Sequence, residues 1–163
     1  PEERLRLMGP IPSFRYDMAL YNYAERQGAV FVTEPVWPPR PLPDMIDFSD
    51  PVRALAELWF YWLCFSSSDG TDVHCGSVTG GNVVPAMIKE YQVDGVVFQT
   101  CYTCRQVSLG VKHMISRLRE RDIPVLVIEG DICDPQFYSP TKAREDLDIF
   151  LEILSHRKKP RAN

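Results

Sequence analysis

Four short, almost continuous apolar runs in this 163-residue chain alternate with longer segments in which apolar residues recur every three or four positions. The apolar runs lie at 4–8, 29–33, 95–98 and 124–128, and the helical segments at 14–26, from 51, from 83, at 107–121 and from 140. Strands that are apolar on both faces are typical of a parallel sheet covered by helices on each side. The sequence therefore predicts an α/β fold, a doubly wound, flavodoxin- or Rossmann-like parallel sheet of about four strands, with residues 1–163 forming one domain.

Turn and capping residues set the predicted limits of the helices. Gly9-Pro-Ile-Pro12 predicts a turn, after which Ser13 is expected to cap the first helix. Gly28 is expected to end that helix, because glycine tolerates the left-handed conformation that often follows a last turn. Asp50 followed by Pro51 is typical of the start of a helix and predicts where the second one begins.

The composition excludes some classes of protein. A net charge of -4 and a pI near 5.4 argue against general nucleic-acid binding, which needs clustered Lys and Arg. The longest apolar run, at 55–65, contains Glu57 and is too short to cross a bilayer, so no membrane association is expected. Five cysteines without a secretory segment at the start indicate a reducing, cytoplasmic location. The chain opens with Pro-Glu-Glu instead of Met, which is compatible with a piece of a longer polypeptide.

Thiols and carboxylates follow the last two predicted strands. Cys101 and Cys104 come after the third strand, and Glu129, Asp131 and Cys133 come after the fourth. The carboxyl ends of parallel strands meet at one edge of a sheet, where open α/β folds usually hold their ligands. We therefore expect these side chains to form one candidate site.

The Cys101 and Cys104 pair is compatible with several chemistries. The two thiols can form a disulfide in redox chemistry, supply two zinc ligands beside His74 and Cys75, or hold iron in a cluster. Their position at a predicted helix start, near backbone N–H donors, favours a thiolate. Unreactive buried cysteines are the remaining interpretation, and the spacing alone does not decide among the four.

Two other polar groups have a structural explanation that we favour. Glu129 and Asp131 suit acid–base roles, but Asp131 and Asp134 are also typical of residues that cap turns around a proline. Thr79-Gly-Gly-Asn82 precedes a predicted helix and can cradle a phosphate, although two glycines at such a place usually form only a turn.

Four stretches of the second half form a recognisable series. They are Val93-Asp-Gly-Val-Val-Phe98, Cys104-Arg-Gln-Val-Ser-Leu-Gly110, Ile123-Pro-Val-Leu-Val-Ile-Glu-Gly-Asp131 and Asp134-Pro-Gln-Phe-Tyr-Ser139, which leads into the last helix. This series resembles the C-terminal domain of the 2-hydroxyacyl-CoA dehydratase and benzoyl-CoA reductase family. Gly9-Pro-Ile-Pro12 is similar to the strand end that opens this domain in the family.

The resemblance implies a subunit of two Rossmann-like domains that holds a four-iron, four-sulfur (4Fe-4S) cluster through cysteines of both domains. Cys104 matches the cysteine that the C-terminal domain supplies, and Cys101 and Cys133 are second choices. The N-terminal domain is not present in this chain. The resemblance also implies three partners, which are a sister subunit, an ATP-hydrolysing iron–sulfur activator and an acyl-CoA substrate. By the same resemblance, the activator passes a low-potential electron through the cluster to the thioester, which becomes a ketyl radical. This radical then eliminates water or enters ring reduction.

We therefore expect this chain to be the iron–sulfur C-terminal domain of an ATP-driven, radical-type acyl-CoA dehydratase or benzoyl-CoA reductase, inactive as this chain alone. Its catalytic residues are not assigned. Two alternatives stay open. One is a non-catalytic assembly domain that pairs through an apolar face containing Trp59 and Trp62, and the other is a small thiol redox or zinc-binding protein that uses Cys101 and Cys104.

Overall fold

Four strands form one parallel sheet, as predicted. The computed structural model describes residues 2–11, 16–34, 47–64, 83–104, 108, 111–131 and 134–158. The strands are β1 (Leu5–Ile11), β2 (Ala29–Thr33), β3 (Gly95–Gln99) and β4 (Val125–Ile128), which are all parallel and lie in the order β2-β1-β3-β4. The direction of winding reverses between β1 and β3, as it does at the switch point of flavodoxin-like sheets.

Helices cover both faces of this sheet. The described residues contain α1 (Ala19–Arg26), α2 (Pro51–Cys64), α3 (Val83–Glu90), α4 (Val111–Glu120) and α5 (Pro140–Arg157), with a short 3-10 helix at Pro135–Phe137. In β3, Val97 packs in a core cluster with residues of α1 and α5, whereas Val96 and Phe98 pack with residues of α3 and α4. The doubly wound α/β fold is therefore confirmed. No helix in the described part of the chain is both long and apolar enough to span a membrane.

The predicted turn at 9–12 is wrong for its first three residues, which continue β1 to Ile11. The register of β1 against β3 shifts between Met8 and Ile11, and Gly9 has a φ of 104°. A bulge of this kind accommodates both a left-handed glycine and a proline without an amide hydrogen. Gly9 and Pro10 thus bend the strand and do not end it.

The first helix also begins later than predicted. It starts at Ala19 and not at residue 14, and the expected cap, Ser13, lies outside the described residues. Its predicted end is confirmed, since Gly28 has a φ of 79° and donates its N–H to the carbonyl of Glu25 at 2.9 Å. This glycine then leads directly into β2.

Two other helix starts are confirmed by their capping bonds. The Asp50 carboxylate accepts a hydrogen bond from the N–H of Arg53 at 3.1 Å at the start of α2. The Ser139 hydroxyl accepts one from the N–H of Lys142 at 3.4 Å at the start of α5. The side chains on one apolar face of α5 are buried; they are Leu147, Phe150, Leu151 and Leu154.

Candidate functional site

The loops after β3 and β4 are joined at the carboxyl edge of the sheet. Thr100 donates its hydroxyl to the carbonyl of Gly130 at 3.2 Å and accepts the N–H of Gly130 at 2.9 Å. The N–H of Thr100 also donates to the carbonyl of Ile128 at 2.9 Å. These bonds extend the pairing of Gln99 with Ile128, so the two loops leave the sheet side by side.

Asp131 lies at the centre of the contacts between the two loops, and its side chain is fully buried. One carboxylate oxygen, Oδ2, accepts the N–H of Thr103 at 2.7 Å. The other, Oδ1, accepts the hydroxyl of Thr103 at 2.7 Å and the N–H of Asp134 at 3.3 Å. A buried carboxylate is costly unless hydrogen bonds satisfy it, and here several donors converge on both oxygens.

The two cysteines of this loop have different surroundings. Cys101 is 2% exposed, and its thiol lies 3.8 Å from Oδ2 of Asp131 as a hydrogen-bond donor. Its carbonyl accepts the hydroxyl of Ser108. Cys104 is partly exposed, and its carbonyl accepts the N–H of Ser108 at 3.0 Å. Both cysteines are free thiols.

The buried side chain of Gln99, which the sequence analysis did not identify, lies next to Gly130. Gln99 is fully buried, and its Nε2 donates to the hydroxyl oxygen of Tyr16 and to the carbonyl of Asp131, the latter at 3.4 Å. A Cβ added to Gly130 would lie 2.5 Å from this nitrogen, so a larger residue there would displace the Gln99 amide. The Oε1 of Gln99 has no hydrogen-bond partner among the described residues.

Two tyrosines lie beside this group, and both have altered acidity. Burial raises the pKa of Tyr16, although hydrogen bonds from the backbone of Asp131 and from Gln99 partly oppose this effect. Burial also raises the pKa of Tyr138, and the hydrogen bond from its hydroxyl to Asp17, at 2.6 Å, raises it further. The two rings pack edge to face with their centroids 4.9 Å apart. Both hydroxyls therefore keep their protons at neutral pH.

The outer rim of the site is more exposed. Glu129 forms an ion pair with Lys142 at 3.0 Å on the surface. The rings of Tyr102 and Phe137 are both at least half exposed and lie 5.3 Å apart. Asp134 caps the 3-10 helix by accepting the N–H of Gln136 at 2.9 Å, which confirms the structural interpretation of this residue.

The structure thus brings Cys101, Cys104 and Asp131 to one edge of the sheet, as the strand ends predicted. Four other candidates lie outside the described residues, so the structure does not test them; these are Cys133, His74, Cys75 and the 79–82 segment. The sequence assigned no role to Thr103, Gln99 or Tyr16, although Thr103 lies within the predicted site loop at 100–104. Gln99 could have been identified from the sequence, because it is the polar last residue of an otherwise apolar strand. Thr103 could not, because its contacts depend on a residue 28 positions later in the chain.

Comparisons with known proteins support the family resemblance found in the second half of the chain, and the family match also includes the first half. A family model described as 2-hydroxyglutaryl-CoA dehydratase, D-component, matches residues 1–154. A curated relative, a benzoyl-CoA reductase subunit of Thauera aromatica, is 25% identical over 72 residues. That alignment covers 44% of this chain and 17% of the relative, so the match spans less than a fifth of the length of that protein.

Proposed function

Because the chain belongs to the 2-hydroxyglutaryl-CoA dehydratase D-component family, we propose that it is the iron–sulfur domain of a component of an acyl-CoA dehydratase or benzoyl-CoA reductase. In this proposal the chain corresponds to the C-terminal domain of a subunit, with an N-terminal domain supplied elsewhere. The sister subunit, the ATP-hydrolysing activator and the acyl-CoA substrate belong to the same proposal.

The position of Cys104 is the observation that supports the proposal most directly. It lies in the loop after β3, next to the β1 and β3 switch point, where doubly wound sheets hold their ligands. Cys104 is partly exposed, so a ligand or a second domain can reach the sulfur. A thiolate at such a position is a suitable iron ligand.

The donor set of the described residues fits part of a cluster site. Cysteine thiolates are the usual ligands of a 4Fe-4S cluster, and Cys104 supplies one. The residues that the structure describes contain no group of three or more His, Cys, Asp or Glu able to hold a metal. The other ligands in this proposal come from the N-terminal domain, with Cys133 as a further candidate. When bound, such a cluster supplies one low-potential electron to an acyl-CoA thioester.

An assembly role is a second candidate, and the surface of α2 favours it. Val52 and Leu55 are 79% and 56% exposed on this helix. The sequence places Trp59 and Trp62 on the same apolar face, and their side chains are not among those that the structure describes. Exposed apolar side chains on one helix face are typical of protein interfaces.

Metal analysis of matched cysteine variants distinguishes these functions. The chain is purified without oxygen, reconstituted with iron and sulfide, and analysed for iron, acid-labile sulfide and zinc beside Cys104→Ser and Cys101→Ser. With a small thiol in excess to replace the ligands of the N-terminal domain, we expect iron and sulfide in the parent chain and in Cys101→Ser, and a fall to background in Cys104→Ser.

Iron that is unchanged in Cys104→Ser would contradict the assignment of this residue. Zinc in place of iron would favour the zinc-binding alternative. A parent chain that takes up neither metal would refute cluster binding by this chain alone and leave two explanations, a cluster that needs the N-terminal domain and the assembly role.

A further inference from the structure

We propose that Asp131 is a positioning residue that gives the two thiols of one loop different roles. It holds Cys101 inside the protein as a structural thiol and orients the loop so that Cys104 alone is available as a ligand. This inference rests on the proposed function for the role of Cys104, but its geometry does not depend on a bound metal.

The first part of the argument is the attachment of the loop. Thr103 immediately precedes Cys104, and both its N–H and its hydroxyl donate to the Asp131 carboxylate at 2.7 Å. Hydrogen bonds to a charged acceptor are stronger than those between neutral groups, and two of them fix both the backbone and the side chain of Thr103. The position of the Cα atom of Cys104 is therefore set by a carboxylate on the neighbouring loop.

The second part is the environment of Cys101. Its thiol is the donor to Oδ2 of Asp131, the same oxygen that accepts the N–H of Thr103. A metal-binding cysteine must give up its proton, and Cys101 would lose this hydrogen bond with it. Since Cys101 is also 2% exposed, binding a metal would require the loop to leave Asp131.

The third part is the contrast with Cys104. This residue is partly exposed, and its sulfur makes no hydrogen bond to any of the described residues. No bond within that part of the structure has to break before Cys104 meets iron or an electrophile. The spacing of the two cysteines in the sequence gives no reason to distinguish them. The Asp131 carboxylate makes their environments different, because it holds one thiol by a hydrogen bond and not the other.

Alkylation of the reduced, metal-free chain tests the difference directly. The chain is treated with iodoacetamide under native conditions, and peptide mass spectrometry follows each cysteine separately. We expect Cys104 to react at least about tenfold faster than Cys101, because reactivity follows exposure. The ratio of the Cys101 rate to the Cys104 rate should rise several-fold in Asp131→Ala and less in Asp131→Asn.

A matched control separates this role from general destabilisation. Gly95→Ala strains the core at Phe150, far from the loop, and global unfolding exposes both thiols alike. The folded molecules of Gly95→Ala keep the Asp131 contacts, so this variant should still alkylate Cys104 faster than Cys101. Asp131→Asn retains the shape of the side chain and keeps the test valid if Asp131→Ala does not fold.

Equal rates for the two thiols in the parent chain would overturn the inference. So would a ratio that neither Asp131 variant raises, or that Gly95→Ala raises as much as an Asp131 variant does. Iron uptake is a separate readout. If the alkylation ratios behave as expected and neither the parent chain nor any variant takes up iron, the positioning role stands and cluster binding by this chain alone fails.

Discussion

Replacing Asp131 should destabilise the fold by an amount that depends on which hydrogen bonds the new side chain keeps. Asp131→Ala removes both acceptor oxygens and leaves the partly buried N–H of Thr103 without its partner. A hydrogen bond to a charged group contributes about 1.5–3 kcal/mol, and the hydroxyl of Thr103 can turn to water. We therefore expect the free energy of unfolding to fall by about 3 kcal/mol, a large part of the usual 5–15 kcal/mol.

Asp131→Asn should cost much less, about 1 kcal/mol. Its amide oxygen still accepts the N–H of Thr103, and its NH2 group can donate to the hydroxyl of Thr103, which rotates to accept. Only the contact with the N–H of Asp134, at 3.3 Å, is lost, because the NH2 group of Asn would face this N–H and both groups are donors. The order of stability is therefore parent, then Asn, then Ala.

Urea unfolding followed by far-UV circular dichroism measures both variants in the reduced chain. The midpoints and slopes of the transitions give the free energies, and similar slopes would show that the unfolded states are comparable. The reasoning is refuted if Asp131→Ala unfolds within 1 kcal/mol of the parent, or if Asn and Ala destabilise equally.

Two further predictions concern other parts of the molecule. Gly95→Ala should lower the free energy of unfolding by about 1–3 kcal/mol, because the added Cβ would lie 2.7 Å from the ring of Phe150 and 2.9 Å from Leu154; a urea titration that matches the parent would contradict it. Tyr138→Phe should reduce the loss of thermal stability above pH ~10. The pKa of Tyr138 is raised by burial and by Asp17, so the stability it contributes is present below that pH and is lost as the pH rises further. Melting temperatures from pH 8 to 11 test this, and equal slopes in the two proteins would argue against it.

The fold was predictable because its strands carry an unambiguous signal. β3 is apolar until its last residue and is buried throughout, and β2 has the predicted limits of 29–33. The errors lie where local and tertiary preferences disagree. Gly9 and Pro10 favour a turn locally, but the pairing of Ile11 with Phe98 in β3 keeps β1 extended beyond a bulge.

The candidate site was predictable only in outline. Strand ends placed Cys101, Cys104 and Asp131 at one edge without any knowledge of side-chain contacts. The unequal environments of the two thiols were not predictable, because they depend on a contact between loops that are distant in sequence. Tyr16 was missed for the same reason, since it reaches the site from the segment before α1.

The central position of β1 has a consequence for the synthesis of this protein. β1 pairs with β2 after a short connection, but Leu7 finds its partner Gly95 only roughly 90 residues later. At ribosomal rates of about 5–20 residues per second, one side of β1 waits for about 5 to 20 s before β3 emerges. An unpaired strand edge is prone to associate with other chains during such an interval. Pro10 has no amide hydrogen, so β1 offers a foreign strand one donor fewer while the nascent chain is incomplete.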